Sequence, residues 1–307
     1  MPSRKAGEDA TRGDGLVVAR FGSVVRVETA NGESFRATLR RRFDHAVCGD
    51  HIQWRAETGG DCAISAIRDR RNALERVYFR GTRRTLAANI DQIVLCIAPI
   101  PTPDWTLVDG VLLTARRIDA EVLILLNKCD LTLSQDDAEA LSAYRQMGYR
   151  IRETSKHRPD THQWVRDELR DKINVLIGQS GTGKSTLTNL LLPQAAARTA
   201  EVSELTGFGQ HTTSMSQLYH LAGGGALIDS PGVRDFTPAP PPPADVQRGF
   251  IEFARLAGDC RFHNCLHRSE PNCAVRAAVE SGSLSRRRYA SYLALLAAAE
   301  VETRAQF

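Results

Sequence analysis

The stretch that most constrains this chain is Gly178-Gln179-Ser180-Gly181-Thr182-Gly183-Lys184-Ser185, set between the apolar run 173–177 and the helix-forming run 185–192. It fits G-x-x-x-x-G-K-[S/T], a strand–loop–helix unit whose backbone N–H groups curl around phosphate oxygens while the helix adds its positive end. The phosphate-binding candidates are these eight residues and Thr186. Lys184 is placed to reach the β- and γ-phosphates, and Ser185 to offer its hydroxyl to Mg²⁺. Such a loop needs a parallel sheet behind it. The runs 90–98, 120–128, 173–178 and 225–230 are nearly continuous in apolar residues, with helical stretches such as 134–147 and 184–192 between them. The pattern predicts an α/β domain with a mainly parallel sheet.

The loop alone does not choose a nucleotide. Asn127-Lys128-Cys129-Asp130 directly follows the apolar run 122–126, and N-K-x-D at a strand end supports guanine recognition. The Asp130 carboxylate can accept from N1–H and N2–H₂ of guanine, whereas adenine would leave it unpaired. Asn127 and the Lys128 stem would support the base, and Cys129 completes the motif. Thr154-Ser155-Lys156 resembles the second base loop, with Ser155 and Lys156 as its contacts. An ATPase or nucleotide kinase is disfavoured by this pairing.

Asp229-Ser230-Pro231-Gly232 ends the run 225–229 and matches D-x-x-G. Asp229 would hold Mg²⁺, and the Gly232 N–H would sense the γ-phosphate. In 207–213, a glycine-bearing stretch, Thr213 (with Thr212 as the alternative) would complete the Mg²⁺ shell when the γ-phosphate is present. The position after D-x-x-G, often a water-orienting glutamine, is Val233. His211 is the nearest polar catalytic candidate beside Lys184, although it could equally shape the loop or contact RNA. The motifs run 127, 154, 178, 213, 229, so those that conventionally close a GTPase domain come first: the order is circularly permuted.

The flanks carry other chemistry. Residues 15–87 read as about five short strands broken by Asn31-Gly32, Gly49-Asp50 and Gly59-Gly60, which predicts a small β-barrel of OB type. Residues 1–90 hold 17 Lys and Arg against 11 Asp and Glu, while the rest holds 23 against 25. That asymmetry suits a polyanion-facing module or a plain solvated basic surface. Beyond the proline run 238–243 comes a helical tail with Cys260, Cys265, His267 and Cys273, a set suited to one closed, structural Zn²⁺. His263 is a competing ligand. Cys48, Cys62, Cys96 and Cys129 read as reduced residues within apolar stretches. No apolar run is long enough for a membrane helix, and residues 1–14 have no apolar signal core.

These motifs in this order resemble the RsgA/YjeQ family of circularly permuted GTPases, which act in late assembly of the small ribosomal subunit. The resemblance rests on the barrel, NKCD, GQSGTGKS, GQHTT, DSPGVRDF and the C-x4-C-x-H-x5-C tail. Residues 1–14 read as a disordered arm from their polar composition, and the resemblance implies an OB-fold RNA-binding domain (15–87), a permuted GTPase domain (88–237) and a zinc-binding helical domain (244–307). It also implies subunit-stimulated hydrolysis of GTP to GDP, with the small ribosomal subunit and its rRNA as partners, and no membrane. A cytoplasmic monomer is expected. An RNA-binding assembly factor whose nucleotide site is mainly structural stays open as the alternative.

Overall fold

The computed structural model describes residues 12–57, 62–77, 82–192, 216–234 and 236–305. His211, Thr212, Thr213 and the rest of 207–213 lie outside the described residues.

Five strands, β1 (Arg12–Phe21), β2 (Val24–Glu28), β3 (Ser34–Thr38), β4 (His51–Ala56) and β5 (Cys62–Ile67), close a barrel in the order 1-2-3-5-4-1. Apolar residues alternate inward: Val25 and Val27 on β2, Phe35 and Ala37 on β3, Ile52 and Trp54 on β4 pack into one core. β1 begins at Arg12, inside the stretch expected as an arm, because Arg12–Leu16 pair with β4 down to His51. The ladder holds these polar residues extended despite their composition.

The barrel strands end at Ile67. Strands β6 (Ala73–Val77) and β7 (Arg83–Ala88), expected within the barrel, form a separate two-stranded sheet. Arg70 fixes this hairpin to the barrel through a bidentate pair with the buried Asp50 carboxylate, at 2.7 and 2.8 Å, and a 3.2 Å bond to Thr85. Asn72 and Asn89 tie the hairpin's ends to Ile90 and Gly49 through 2.8 Å bonds.

The second layer system is doubly wound. β8 (Gln92–Ile97), β9 (Glu121–Leu126), β10 (Arg150–Glu153), β11 (Ile173–Ile177), β12 (Ser216–His220) and β13 (Ala226–Asp229) lie in the order 10-9-8-11-13-12, all parallel except β12. Helices α1 (Trp105–Arg117) and α2 (Gln135–Gln146) bury Val108, Val111, Leu112, Leu141 and Tyr144 on one face. Helices α3 (His162–Leu169) and α4 (Lys184–Leu191) bury Val165, Leu169, Leu187 and Leu191 on the other. Asp104 caps α1 by accepting from Thr106 N and Leu107 N, and Ser134 caps α2. The antiparallel edge strand β12 pairs with β1, Ala19 opposite Gln217 and Arg20 opposite Ser216, so barrel and nucleotide sheet form one continuous sheet.

After the short helix α5 (Pro231–Arg234), the proline run packs onto α1: Ala239 and Pro241 are buried, and a Cβ on Gly110 would lie 3.1 Å from Pro238. Helices α6 (Pro243–Gly249), α7 (Ile251–Ala254), α8 (Ala274–Glu280) and α9 (Arg286–Ala305) complete the tail. Its core joins Phe250, Phe253, Val275, Tyr292 and Leu296 to Leu113 of α1. The buried positions 288, 291, 292, 296 and 299 of α9 fall on one helical face.

Candidate guanine-nucleotide site and Cys/His centre

Parallel strands of one doubly wound sheet end on one side, and loops there form its binding crevice. β9, β10, β11 and β13 each deliver one motif to that side: Asn127–Asp130, Thr154–Lys156, Gly178–Ser185 and Asp229–Gly232. The permuted chain therefore brings together every described candidate of the nucleotide site.

Two glycines of the phosphate loop are required by close approach. At φ +155 Gly178 passes the Cys96 carbonyl, 2.1 Å from where a Cβ would stand; at φ +92 Gly183 faces Asn127 Nδ2, with a Cβ at 2.4 Å. Lys184 is buried, and its Nζ donates to the Gly178 and Gln179 carbonyls at 2.6 and 2.7 Å, beneath the loop it would use on phosphate. Ser185 lies in the first turn of α4, and Asp229 ends β13, which pairs with β11. A hydroxyl and a carboxylate at one sheet end suit a hard cation, so the donor set fits Mg²⁺.

The base motif is bolted to the phosphate loop. Asn127 Nδ2 donates to the Thr182 carbonyl at 2.8 Å, and Lys128 Nζ bridges the Ile100 and Gly181 carbonyls, each at 2.7 Å. The Ser155 hydroxyl donates to Asp130 Oδ1 and holds that carboxyl below its ordinary range, so it is ionised and acceptor-only at neutral pH. Sequence reasoning did not find the 98–104 loop as part of the site. Gln179 donates to Thr102 O at 3.3 Å and accepts from Asp104 N at 2.8 Å, which fastens the phosphate loop to the start of α1. The proline-spaced Ile100-Pro101-Thr102-Pro103-Asp104 after a strand end was the available signal. Val233 is 1% exposed and packed in the main core, away from any polar role.

In the tail, the ligand atoms of Cys260, Cys265, His267 and Cys273 all lie within 4.8 Å of one another. Cys260 Sγ is 3.9 Å from Cys273 Sγ, and His267 Nδ1 is 3.6 and 3.3 Å from those sulfurs. A zinc tetrahedron with bonds of about 2.1–2.3 Å has edges of about 3.6–3.8 Å, so the cluster fits the ion. Backbone N–H groups of His267 and Arg276 donate to the Cys265 and Cys273 sulfurs at 3.4 and 3.5 Å. His263 is exposed and outside the cluster. Tyr289 and Tyr292 hydroxyls donate to the His267 and Leu266 carbonyls, at 2.5 and 2.8 Å, and hold the loop. Burial pushes Glu270 up, but N–H bonds from its own backbone and from Leu266, Arg268 and Ser269 outweigh it and keep the carboxyl below its usual range.

A permuted phosphate-loop GTPase core, an OB-type barrel before it and a Cys₃His domain after it together define the class of this chain. The model of the RsgA GTPase family matches residues 67–238. A relative from Pseudomonas fluorescens named small ribosomal subunit biogenesis GTPase RsgA is 43% identical over 291 residues, 92% of this chain and 84% of that protein. The crystal structure of YjeQ from Thermotoga maritima aligns with TM-score 0.73 and 28% identity over 94% of this chain and 98% of that one. YloQ, described as a circularly permuted GTPase, shares the fold at TM-score 0.70 and 24% identity, over 97% and 98% of the two chains. The chain belongs to the RsgA GTPase family and is a hydrolase of that class.

Proposed function

We propose that this chain hydrolyses GTP while docked on the small ribosomal subunit through rRNA, and that it assists the subunit's late maturation as a cytoplasmic monomer. The observation that carries the reading is the convergence of four guanine-nucleotide motifs between a barrel and a Cys₃His module, in a chain 43% identical to proteins with that name. Arg41 and Arg42 stand exposed on a short turn of the barrel, with the Arg42 guanidinium 4.5 Å over the Phe43 ring, a surface suited to RNA phosphates and bases. No helix among the described residues is long and apolar enough to cross a membrane.

In this reading Lys184 and the 178–185 amides hold the phosphates. Asp130, Ser155 and Lys156 select guanine, and Ser185, Thr213 and Asp229 hold Mg²⁺, which neutralises phosphate charge when bound. Val233 offers no hydrogen bond to the attacking water, so intrinsic turnover is slow and His211 orients the water once the subunit closes its loop. Turnover assays with and without small subunits test this. Weak intrinsic hydrolysis, strong stimulation by subunits, and loss of stimulation in His211→Ala with GTP affinity kept are expected. An unstimulated wild type would sink the ribosome-coupled reading, and a fully stimulated His211→Ala would sink the role of His211.

Cys260, Cys265, His267 and Cys273 hold one structural Zn²⁺ in this reading, with no open place for chemistry. Metal analysis of the purified chain should find about one zinc, lost in Cys265→Ser and kept in His263→Ala, with GTP binding surviving the loss because the nucleotide sheet has its own core. Zinc retention in Cys265→Ser would overturn the ligand set.

A further inference from the structure

Guanine differs from adenine at position 6, where it carries a carbonyl oxygen, and a backbone N–H from the 154–156 loop is the natural donor to it. What aims that N–H is a question about one peptide plane. The Ser155–Lys156 peptide is planar and trans, so the Ser155 carbonyl and the Lys156 N–H point in opposite directions. Fixing the carbonyl therefore fixes the donor.

Ser155 is held on every side. Its carbonyl accepts from Arg158 N at 3.0 Å and is 2.8 Å from His162 Nε2; its hydroxyl accepts from His157 N at 3.1 Å and donates to Asp130. A carbonyl is acceptor-only, so His162 must carry its proton on Nε2. His162 opens α3, and its backbone is anchored by the preceding Thr161, whose hydroxyl meets the Thr154 hydroxyl at 3.0 Å and donates to Arg158 O at 2.6 Å. Asn127, Thr154, Ser155, Lys156 and His162 line one pocket beside α4. The Lys156 N–H has no backbone acceptor among the described residues.

We infer that His162 is a positioning residue for base selection: its Nε2–H anchors the Ser155 carbonyl, and so turns the Lys156 N–H toward the 6-oxygen of guanine. The inference rests on the reading that Asp130 and the 154–156 loop hold the base. Three of the four tethers on Ser155 come from its own loop or from Asp130. His162 alone ties the peptide to a helix of the rigid core, through a side chain that can be changed without touching the backbone.

The test compares three nucleotides on the full chain: guanosine diphosphate, inosine diphosphate, which keeps the 6-oxygen, and 2-aminopurine riboside diphosphate, which lacks it. His162→Ala should weaken the first two by about 5- to 10-fold, the worth of one hydrogen bond, and the third by less than about twofold. His162→Gln, whose amide nitrogen reaches the place of Nε2, should restore guanosine and inosine binding to within about twofold of wild type. In subunit-stimulated hydrolysis His162→Ala should raise KM for GTP and keep kcat at saturation. Equal weakening of all three nucleotides, failure of His162→Gln to restore binding, or unchanged guanosine affinity in His162→Ala would each overturn the assignment. A wild type indifferent to the base would instead remove the base-site reading itself, which Asp130→Asn probes independently.

Discussion

Arg288→Met is expected to destabilise the chain by about 3–5 kcal/mol, because it strands a charge inside the protein. Asp109 of α1 is 1% exposed and Arg288 of α9 is 3% exposed, and the two are directly paired. Arg288 also binds both oxygens of Glu252 on α7 at 2.6 and 2.9 Å, while Tyr144 donates to Asp109 and Arg287 stands 3.6 Å from its second oxygen. Burial pushes the Asp109 carboxyl up further than Arg288, Tyr144 and Arg287 pull it down. A carboxyl raised in the folded state carries its charge there at a cost, and that cost fades as pH falls and the proton binds. The network joins α1, α2, α7 and α9, and it is the loss of one partner that is expensive. Denaturant titration followed by tryptophan fluorescence checks this, since Trp105 stacks on Tyr144 at 5.5 Å beside Arg287. The loss should shrink on acidification, and Arg288→Met combined with Asp109→Asn should recover more than half of it. A single variant within about 0.5 kcal/mol of wild type would show that the pair does not hold the two parts together.

That network marks the limit of what was legible in the sequence. The nucleotide motifs and the zinc candidates are local: each needs a few residues at fixed spacing, a glycine where the backbone must turn as at Gly178 and a ligand side chain where a metal would be held as at Cys265. That β8, β9, β11 and β13 are buried parallel strands was readable from their near-continuous apolar runs, though their order in the sheet was not. The pairing of β12 with β1 was not, since Ser216-Gln217 and Ala19-Arg20 carry no pattern that finds each other across some 200 residues. Asp109 reads as an ordinary polar residue of α1 until α9 covers it. The β6–β7 hairpin has strand composition like the barrel's, and only its pairing, β6 with β7 in a sheet of their own, sets it apart. His162 was invisible for a similar reason: its role lies in one hydrogen bond to a carbonyl seven residues earlier.

Asp130→Asn should convert the site from guanine to xanthine. The native carboxylate offers two acceptor oxygens, matched to N1–H and N2–H₂ of guanine. An amide keeps one acceptor and presents an NH₂ where the other stood, so donor faces donor and GTP affinity should fall by at least about tenfold. Xanthosine triphosphate carries a 2-carbonyl in place of the 2-amine, which accepts from the new NH₂ and should bind better than GTP. The fold should be unaffected, because the Asp130 side chain is solvent-facing and its tether, the Ser155 hydroxyl, can donate to the amide oxygen equally well. The same tether sets the pH dependence. It lowers the Asp130 carboxyl, so guanine binding by the wild type should persist through the ordinary carboxylate range and weaken only as pH falls below it; in Asp130→Asn that acid-side transition should vanish. Competition binding with guanosine, xanthosine and adenosine triphosphates across pH measures both effects. Unchanged GTP affinity in Asp130→Asn would remove Asp130 from the base site. A drop in GTP affinity without a gain for xanthosine triphosphate would mean that the side chain supports the loop and does not read the base.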